Sequence, residues 1–166
     1  MVSYELSRVA GAERAIIDPF LSDAPVRLSA LASALGLRVI SAQLPSGISG
    51  EIRPDPQTPA GFSIRVNKND PARRQRFTVA HEIGHYLLHR DEIGDGITDD
   101  VLYRSSLSDS REAQANRLAA DLLMPDRLLA FWKDRAAKLG EEDVVSFLAD
   151  KFNVSAAAMK IRLGIE

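Results

Sequence analysis

The segment from Pro71 to His89 leaves this chain little freedom in what it can fold into. Asn69-Asp70-Pro71 reads as a helix start, because Asp70 can cap free N–H groups and Pro71 suits the first helical position. No further proline interrupts the segment, and Phe77, Ala80, Ile83, Gly84, Leu87 and Leu88 recur at helical spacing. A long amphipathic helix is expected there. Its interior carries the run His81-Glu82-Ile83-Gly84-His85, which is thereby presented from one rigid rod.

H-E-x-x-H arises by composition in about one chain in a few hundred of this length, so the helix around it decides how it is read. Positions i and i+4 of a helix share a face, and His81 and His85 can both aim ring nitrogens at one ion. Glu82 lies beside that face, where its carboxylate can reach a water on the ion. Two neutral imidazoles and an adjacent carboxylate are the minimum set for zinc-activated hydrolysis. Gly84 costs about 1 kcal/mol against alanine inside a helix. Either another backbone passes close to the site, or the glycine sits in an exposed turn with no role. His89, the remaining histidine, lies roughly 12 Å along the helix from His81. That distance removes it as a third ligand, and it reads as a C-terminal residue favoured by the helix dipole. The longer pattern H-E-x-x-H-x-x-G-x-x-H is absent too, since Leu88 and Asp91 occupy its glycine and last histidine positions.

With no cysteine and no usable third histidine, a hydrolytic zinc needs an Asp or Glu from elsewhere. The best candidate is Glu112, in the segment from Ser108 to Pro125. Ser108 or Asp109 can cap that segment, its alanines and leucines favour helix, and Pro125 limits its far end. Asn116 stands four residues after Glu112 and faces the same way, so its amide could hold the distal N–H of a ligand histidine. A surface glutamate on an ordinary core helix is the plainer reading of Glu112, and the H-E-x-x-H motif tips the balance towards a ligand. Asp121 either supports the site from behind or is an exposed residue. The acidic run Asp91, Glu92, Asp95, Asp99 and Asp100 invites a calcium reading, but Ile93 sits where an EF-hand needs its second oxygen. A solvated loop is expected instead.

The 166 residues suffice for one domain with a sizeable core. Its expected parts are N-terminal helices over 1–36, a sheet region over 37–69, zinc-site helices over 70–125 and C-terminal helices over 126–166. Helices are expected at about Tyr4–Leu21 and Arg27–Leu35, the second ended by Gly36. Leu37, Val39 and Leu44 start a β region that Ile48 and Ile52 continue, and Pro54, Pro56 and Pro59 form a loop. Phe62, Ile64 and Val66 alternate with Ser63, Arg65 and Asn67, the pattern of a half-buried strand. Were that strand at a sheet edge, it could pair with an extended peptide substrate. A helix from Asp126 to Leu139 ends at Gly140, followed by a pair at about Glu141–Phe152 and Ser155–Leu163. That pair reads like a helix-turn-helix with Leu148, Ala149, Phe152 and Val154 as its core and Ser155 as a cap. Its second helix offers Ala156-Ala157-Ala158 before Lys160 and Arg162, where a DNA reader would carry polar side chains, so a packing unit is favoured.

Lysines and arginines number 21 against 23 acidic residues, a net charge of −2, and no global basic field recommends nucleic acid as a partner. Zero cysteines rule out disulfides and fit a reducing compartment. Met1 to Phe20 lacks the apolar run of a signal peptide and nothing is long enough to cross a membrane, so a cytoplasmic location is expected.

The run Arg74-Gln75-Arg76-Phe77-Thr78-Val79-Ala80-His81-Glu82-Ile83-Gly84-His85, followed by Glu112-x-x-Ala115-Asn116-x-x-Ala119-Ala120-x-Leu122-Leu123-Met124-Pro125, resembles the ImmA/IrrE family of metallopeptidases. The likeness extends from the preceding strand to Val154-Ser155 and Arg162-Leu163-Gly164, and the order and spacing of the two motifs are specific. It implies that His81, His85 and Glu112 are zinc ligands and Glu82 the general base. It further implies a bacterial or phage setting and a substrate class, helix-turn-helix (XRE-type) transcriptional repressors whose cleavage relieves repression. Some members carry an added DNA-binding or sensory-type domain, for which 166 residues leave little room.

The expected fold is α+β and zincin-like, of the one-glutamate-ligand (gluzincin) type, with a small mixed sheet, the H-E-x-x-H helix and a C-terminal helical bundle. The expected function is zinc-dependent endopeptidase action on a protein substrate, with no direct nucleic-acid or membrane partner. Zinc lowers the pKa of water from about 16 towards 7, and Glu82 carries the proton to the leaving amine. Tyr103 or Arg104, in the loop before the third-ligand helix, could donate to the oxyanion, although an ordinary loop residue is the plainer reading of each. A second reading belongs to another class: a non-catalytic regulatory or binding protein with a structural or vestigial metal, whose C-terminal helices grip a partner. An intact Glu82 counts against it, since a structural zinc needs no base.

Overall fold

The computed structural model describes residues 3–102 and 104–165. In chain order the elements are α1 (Tyr4–Ser7), α2 (Gly11–Ile17), a 3-10 turn at Asp18–Ser22, α3 (Leu28–Ala34), β1 (Arg38–Ala42), β2 (Ile48–Pro54) and β3 (Phe62–Asn67). There follow α4 (Ala72–Leu88), a 3-10 turn at Arg90–Glu92, β4 (Ile97–Asp100), α5 (Asp109–Leu123), α6 (Asp126–Leu139), α7 (Val144–Phe152) and α8 (Ala156–Leu163). The architecture is mixed α+β, with helices packed around one small sheet.

The helix expected over Tyr4–Leu21 is broken at Arg8–Ala10. The corner has a packing reason, since it turns Leu6, Val9 and Ile17 into the same core. Arg14 ties it down by donating from Nη1 to the Leu6 carbonyl at 3.1 Å. Helix α3 ends on Gly36 with φ +83°, the left-handed stop that glycine supplies.

The four strands are ordered β1-β3-β2-β4, with β1 parallel to β3 and the other pairs antiparallel. β3 is therefore interior, and the expectation that it might receive a peptide at an edge is corrected. Asn67, at its end, donates from Nδ2 to the Ile48 carbonyl at 2.8 Å and so fastens β3 to the start of β2. Pro54 closes β2 rather than lying in the loop that follows. The edges are β1 and β4, the latter in the stretch expected to be a solvated loop. Ile93 and Ile97 are buried there and draw the acidic run against the sheet.

Helix α4 lies against β2 and β3 and packs along α5. Its N-terminal residue is preceded by Pro71, and Asp70 makes no side-chain cap. Gln75 Nε2 instead donates to the Asp70 carbonyl at 2.8 Å. Ile52, Ile64 and Val66 from the sheet meet Val79, Ala80 and Ile83 of α4 and Leu118, Leu122 and Leu123 of α5 in one core. Removing that much apolar surface from water is the dominant stabilising contribution to such a fold.

The last two helices form the expected packing unit: Leu148, Ala149, Phe152 and Val154 are buried, and Ser155 Oγ accepts from the Ala158 N–H. They are clamped to the start of α4. Arg73 donates from Nη1 to the Val154 carbonyl at 2.9 Å and pairs with Asp150 at 2.7 Å, and Arg76 Nε donates to the Asn153 carbonyl at 3.1 Å. Arg162 of α8 pairs with Asp121 and Asp126 at 3.0 and 2.8 Å. Among the described residues, no helix is long and apolar enough to cross a membrane.

Candidate metal centre

One turn of α4 separates His81 and His85, so both rings project into the gap between α4, α5 and the sheet. Each is fully buried, and their Nε2 atoms stand 3.1 Å apart. Glu112, in the first turn of α5, completes a triangle: Oε2 is 3.1 Å from His81 Nε2 and Oε1 is 3.2 Å from His85 Nε2. Donor atoms about 2.0 Å from a tetrahedral ion stand roughly 3.3 Å from one another. The spacing of the three side chains is therefore that of ligands to one ion.

Gly84 explains how the two helices come so close. A Cβ there would lie 3.0 Å from the Ala115 carbonyl oxygen and 3.3 Å from its Cα. Of the two readings of this glycine, close approach of another backbone is the one realised. The α5 backbone that passes Gly84 is flanked by Glu112 and Asn116.

The distal nitrogens of both rings are held. His81 Nδ1 lies 2.8 Å from Asn116 Oδ1, the contact expected from the spacing of Glu112 and Asn116. His85 Nδ1 lies 3.0 Å from His89 Nδ1, and His89 Nε2 lies 2.8 Å from Gln114 Oε1. With Gln114 accepting from Nε2–H, His89 offers a bare Nδ1 to the N–H of His85, which leaves the lone pair of His85 Nε2 facing the cluster. Burial pushes the His89 imidazole down, towards the neutral form this chain of bonds needs. His89 stands at the C-terminal end of α4, as expected, with its ring buried behind His85. On the other side, Ser105 donates its hydroxyl to Glu112 Oε1 at 2.7 Å and fixes the carboxylate.

A fourth side chain reaches the same point. Asp99 of β4 is fully buried, with Oδ2 3.3 Å from His81 Nε2 and 3.8 Å from His85 Nε2. His81, His85, Asp99 and Glu112 each present a ligand atom, all within 4.8 Å of one another. The solvated-loop reading of the acidic run fails at this residue. One signal could have found it: in Ile97-Thr98-Asp99, strand alternation places Asp99 on the same face as the apolar Ile97.

The electrostatics describe a site built for a cation. Both carboxylate oxygens of Glu82 and both of Asp99 are buried without a hydrogen-bond partner. Burial, and next the Asp99 charge, push the Glu82 carboxyl well above the usual carboxylate range. Burial works against a charge on His81, but Asp99 and Glu112 outweigh it and push the imidazole up to about 9. Burial would raise Glu112, yet hydrogen bonds from His81 and His85 hold it well below the usual range. Three carboxylates converging out of water, with four oxygens unbonded, are expensive unless a cation joins them. The donor set fits a divalent metal.

The family model of the IrrE N-terminal-like domain, among the M78 peptidases, matches residues 32–164. The chain belongs to this ImmA/IrrE family of metallopeptidases. It is similar to the radiation response metalloprotease IrrE of Deinococcus radiodurans, 35% identical over 97 residues that make up 57% of this chain and 28% of that protein. It is also similar to the metallopeptidase ImmA of Bacillus subtilis, 36% identical over 69 residues, 41% of this chain and 37% of that one. The chain thus spans little more than a third of these relatives at most. The family match begins within α3 and takes in every strand and all four residues of the cluster.

The remaining candidates are Tyr103, Arg104 and Asp121. Tyr103 lies outside the described residues, and Arg104 is exposed, its main-chain N–H donating to Asp100 Oδ1 at 3.1 Å. Asp121 is buried, but it bonds Ser3 and Arg162 and so ties α8 and the N-terminus to α5.

Proposed function

We propose that the chain is a zinc-dependent endopeptidase of zincin-like fold, in which His81, His85 and Glu112 hold the ion and Glu82 is the general base. The observation that carries this reading is the buried triangle of donor atoms at tetrahedral spacing beside an unbonded carboxylate, Glu82. Zinc bound there supplies Lewis-acid chemistry, polarising a peptide carbonyl and making water a nucleophile near neutral pH. Imidazole and carboxylate donors in a tetrahedral arrangement suit zinc among the common divalent ions.

The chain's own residues supply the rest. Asn116, and His89 backed by Gln114, orient the rings so that each Nε2 faces the cluster. Glu82 takes the proton from the attacking water and returns it to the departing amine. Burial holds its carboxyl above the usual carboxylate range, the direction that favours a group that must both take and return a proton. The substrate is a helix-turn-helix transcriptional repressor in a bacterial or phage cytoplasm, hydrolysed to relieve repression. Direct nucleic-acid binding is not part of the reading, since α8 exposes Ala156, Ala157 and Ile161 while its Arg162 is engaged in ion pairs.

One observation favours the second reading, a non-catalytic metal site: Asp99 stands where an open coordination position would be. Against it, a structural ion gives Glu82 no reason to be buried and unbonded beside the donors. The decisive experiment incubates the purified protein with the helix-turn-helix repressor encoded beside it. Cleavage that stops with chelator, returns with zinc and is absent in a metal-loaded Glu82→Gln variant is the expected result. Full metal occupancy without cleavage of the repressor by any variant refutes it.

A further inference from the structure

We infer that Asp99 is a fourth ligand that closes the metal centre, and that β4 is an inhibitory strand occupying the place of the substrate on β2. This deepens, and rests on, the zinc reading of His81, His85 and Glu112.

The geometry of the closure is specific. The distances of Asp99 Oδ2 to the two imidazole nitrogens, 3.3 and 3.8 Å, continue the 3.1–3.2 Å spacing among His81, His85 and Glu112. Four donors at such spacing make a filled tetrahedron, the form of structural rather than hydrolytic zinc, which keeps one position open. Among the described residues no donor outside the cluster engages Asp99, whose neighbours are His81, His85 and the Glu82 carboxyl. Two further features make room for it. Asp99 pairs with Gly50 across the β2–β4 ladder, and the ladder is bulged there. A Cβ on Gly50 would collide with the Thr78 methyl and lie 3.8 Å from Glu82 Oε1, so the absent side chain belongs to the space beside the base.

The strand that carries Asp99 is short, and of its side chains only Ile97 joins the hydrophobic core. β4 has four residues, pairs on one side only, and follows Gly94 and Gly96, both at positive φ. Its partner β2 carries Gly50 beside Glu82, and the edge that β4 covers is the one an extended peptide would need for antiparallel pairing. A substrate strand in place of β4 would carry its own backbone past Gly50 and over the donor atoms. Val101 and Leu102, which follow β4, are exposed apolar side chains that an incoming protein can grip. The chain is therefore latent with β4 paired and competent when that strand is exchanged.

The test uses the full chain with cobalt(II) in place of zinc and acetohydroxamate as a probe of an open position. In the parent protein the visible spectrum is expected not to change with acetohydroxamate. In Asp99→Ala, and in the isosteric Asp99→Asn should the first fold poorly, it is expected to shift. Zinc affinity should fall by roughly tenfold or more with the lost ligand, while repressor cleavage rises on the order of tenfold as the open form becomes the ground state. A parent protein that binds the probe as readily as the variants overturns the inference and leaves the three-ligand site standing. Loss of cleavage in metal-loaded Asp99→Ala overturns it too, by placing Asp99 among the groups the reaction needs. Failure of parent and variants alike to bind cobalt overturns the zinc reading itself. For the strand, Glu51→Cys with Thr98→Cys joins directly opposed residues in a chain that has no cysteine. Oxidation is expected to abolish cleavage and dithiothreitol to restore it. An oxidised form that cleaves as fast as the reduced one, or a reduced form that does not cleave, overturns the exchange of strands.

Discussion

Gly84→Ala is a substitution whose outcome sets two opposing magnitudes against each other. Inside a helix the change should gain about 1 kcal/mol from propensity. Against that, the new methyl meets the Ala115 carbonyl oxygen at 3.0 Å, its Cα at 3.3 Å and its carbonyl carbon at 3.6 Å. All three are backbone atoms of α5, so no rotamer change relieves them, and the helix must retreat by roughly half an ångström to reach ordinary contact. Overpacking of this kind costs about 1–3 kcal/mol, which leaves a net loss of about 1 kcal/mol. The larger effect falls on the metal. Glu112 rides on the retreating helix, and its 3.1 and 3.2 Å separations from the histidines widen. Metal sites tolerate about 0.2 Å in bond length, so zinc affinity should drop by roughly 10- to 100-fold. Urea unfolding of the chelated protein and competition against a chromophoric chelator read the two effects separately. Gly11→Ala is the control, since a Cβ there meets nothing within 4 Å. A Gly84→Ala protein that is more stable than the parent, with zinc affinity within about twofold, would refute the argument from close approach.

Glu82→Gln should bind zinc stoichiometrically yet lose cleavage by about 10²–10⁴-fold, checked by metal analysis beside a cleavage assay; appreciable activity removes Glu82 as the base. Asn116→Ala and His89→Ala each free the distal nitrogen of one imidazole, and titration should give a zinc affinity roughly 10–100-fold weaker for both. In the chelated protein His81 has a folded pKa raised from 6.5 to about 9, so its proton stabilises the folded form fully below pH 6.5 and less as pH rises through 9. Glu82, raised by burial, acts in the same direction. Thermal unfolding from pH 6 to 10 should show the Tm of the chelated protein falling, and the zinc-loaded protein escaping that fall. A flat profile for the chelated protein would contradict the linkage.

The helices around the metal centre were legible because local signals dominate there. Ser108 caps α5 and Gly140 stops α6 just where residue chemistry places them. That Asn116 could reach a ligand histidine is readable from its i, i+4 relation to Glu112, while which ring it meets, His81, is set by the packing of α4 on α5. The sheet was less legible, since a run such as Phe62–Asn67 carries no mark of which neighbours will flank it, and that is settled by long-range pairing. The break in the N-terminal helix is likewise tertiary, decided by where Leu6, Val9 and Ile17 find a common core. Asp99 was hidden for a different reason. Surrounded in sequence by Asp91, Glu92, Asp95 and Asp100, it shares their composition but not their environment, because the isoleucines beside it pull only some of the run inside. The distance of His89 from His81 excludes ligation but not support, since the same i, i+4 rule that pairs His81 with His85 also pairs His85 with His89.

The clamp of Arg73 and Arg76 on the last helices carries a consequence for synthesis. Their partners Asp150, Asn153 and Val154 lie 77 to 81 positions further along the chain. At about 5–20 residues per second, the helix bearing His81 and His85 waits roughly 4–16 s on the ribosome before the groups that steady its first turn exist. Nascent chains that stop short of Asp150 lack those groups altogether, so the metal helix acquires its full anchorage only after Asp150, Asn153 and Val154 have been made.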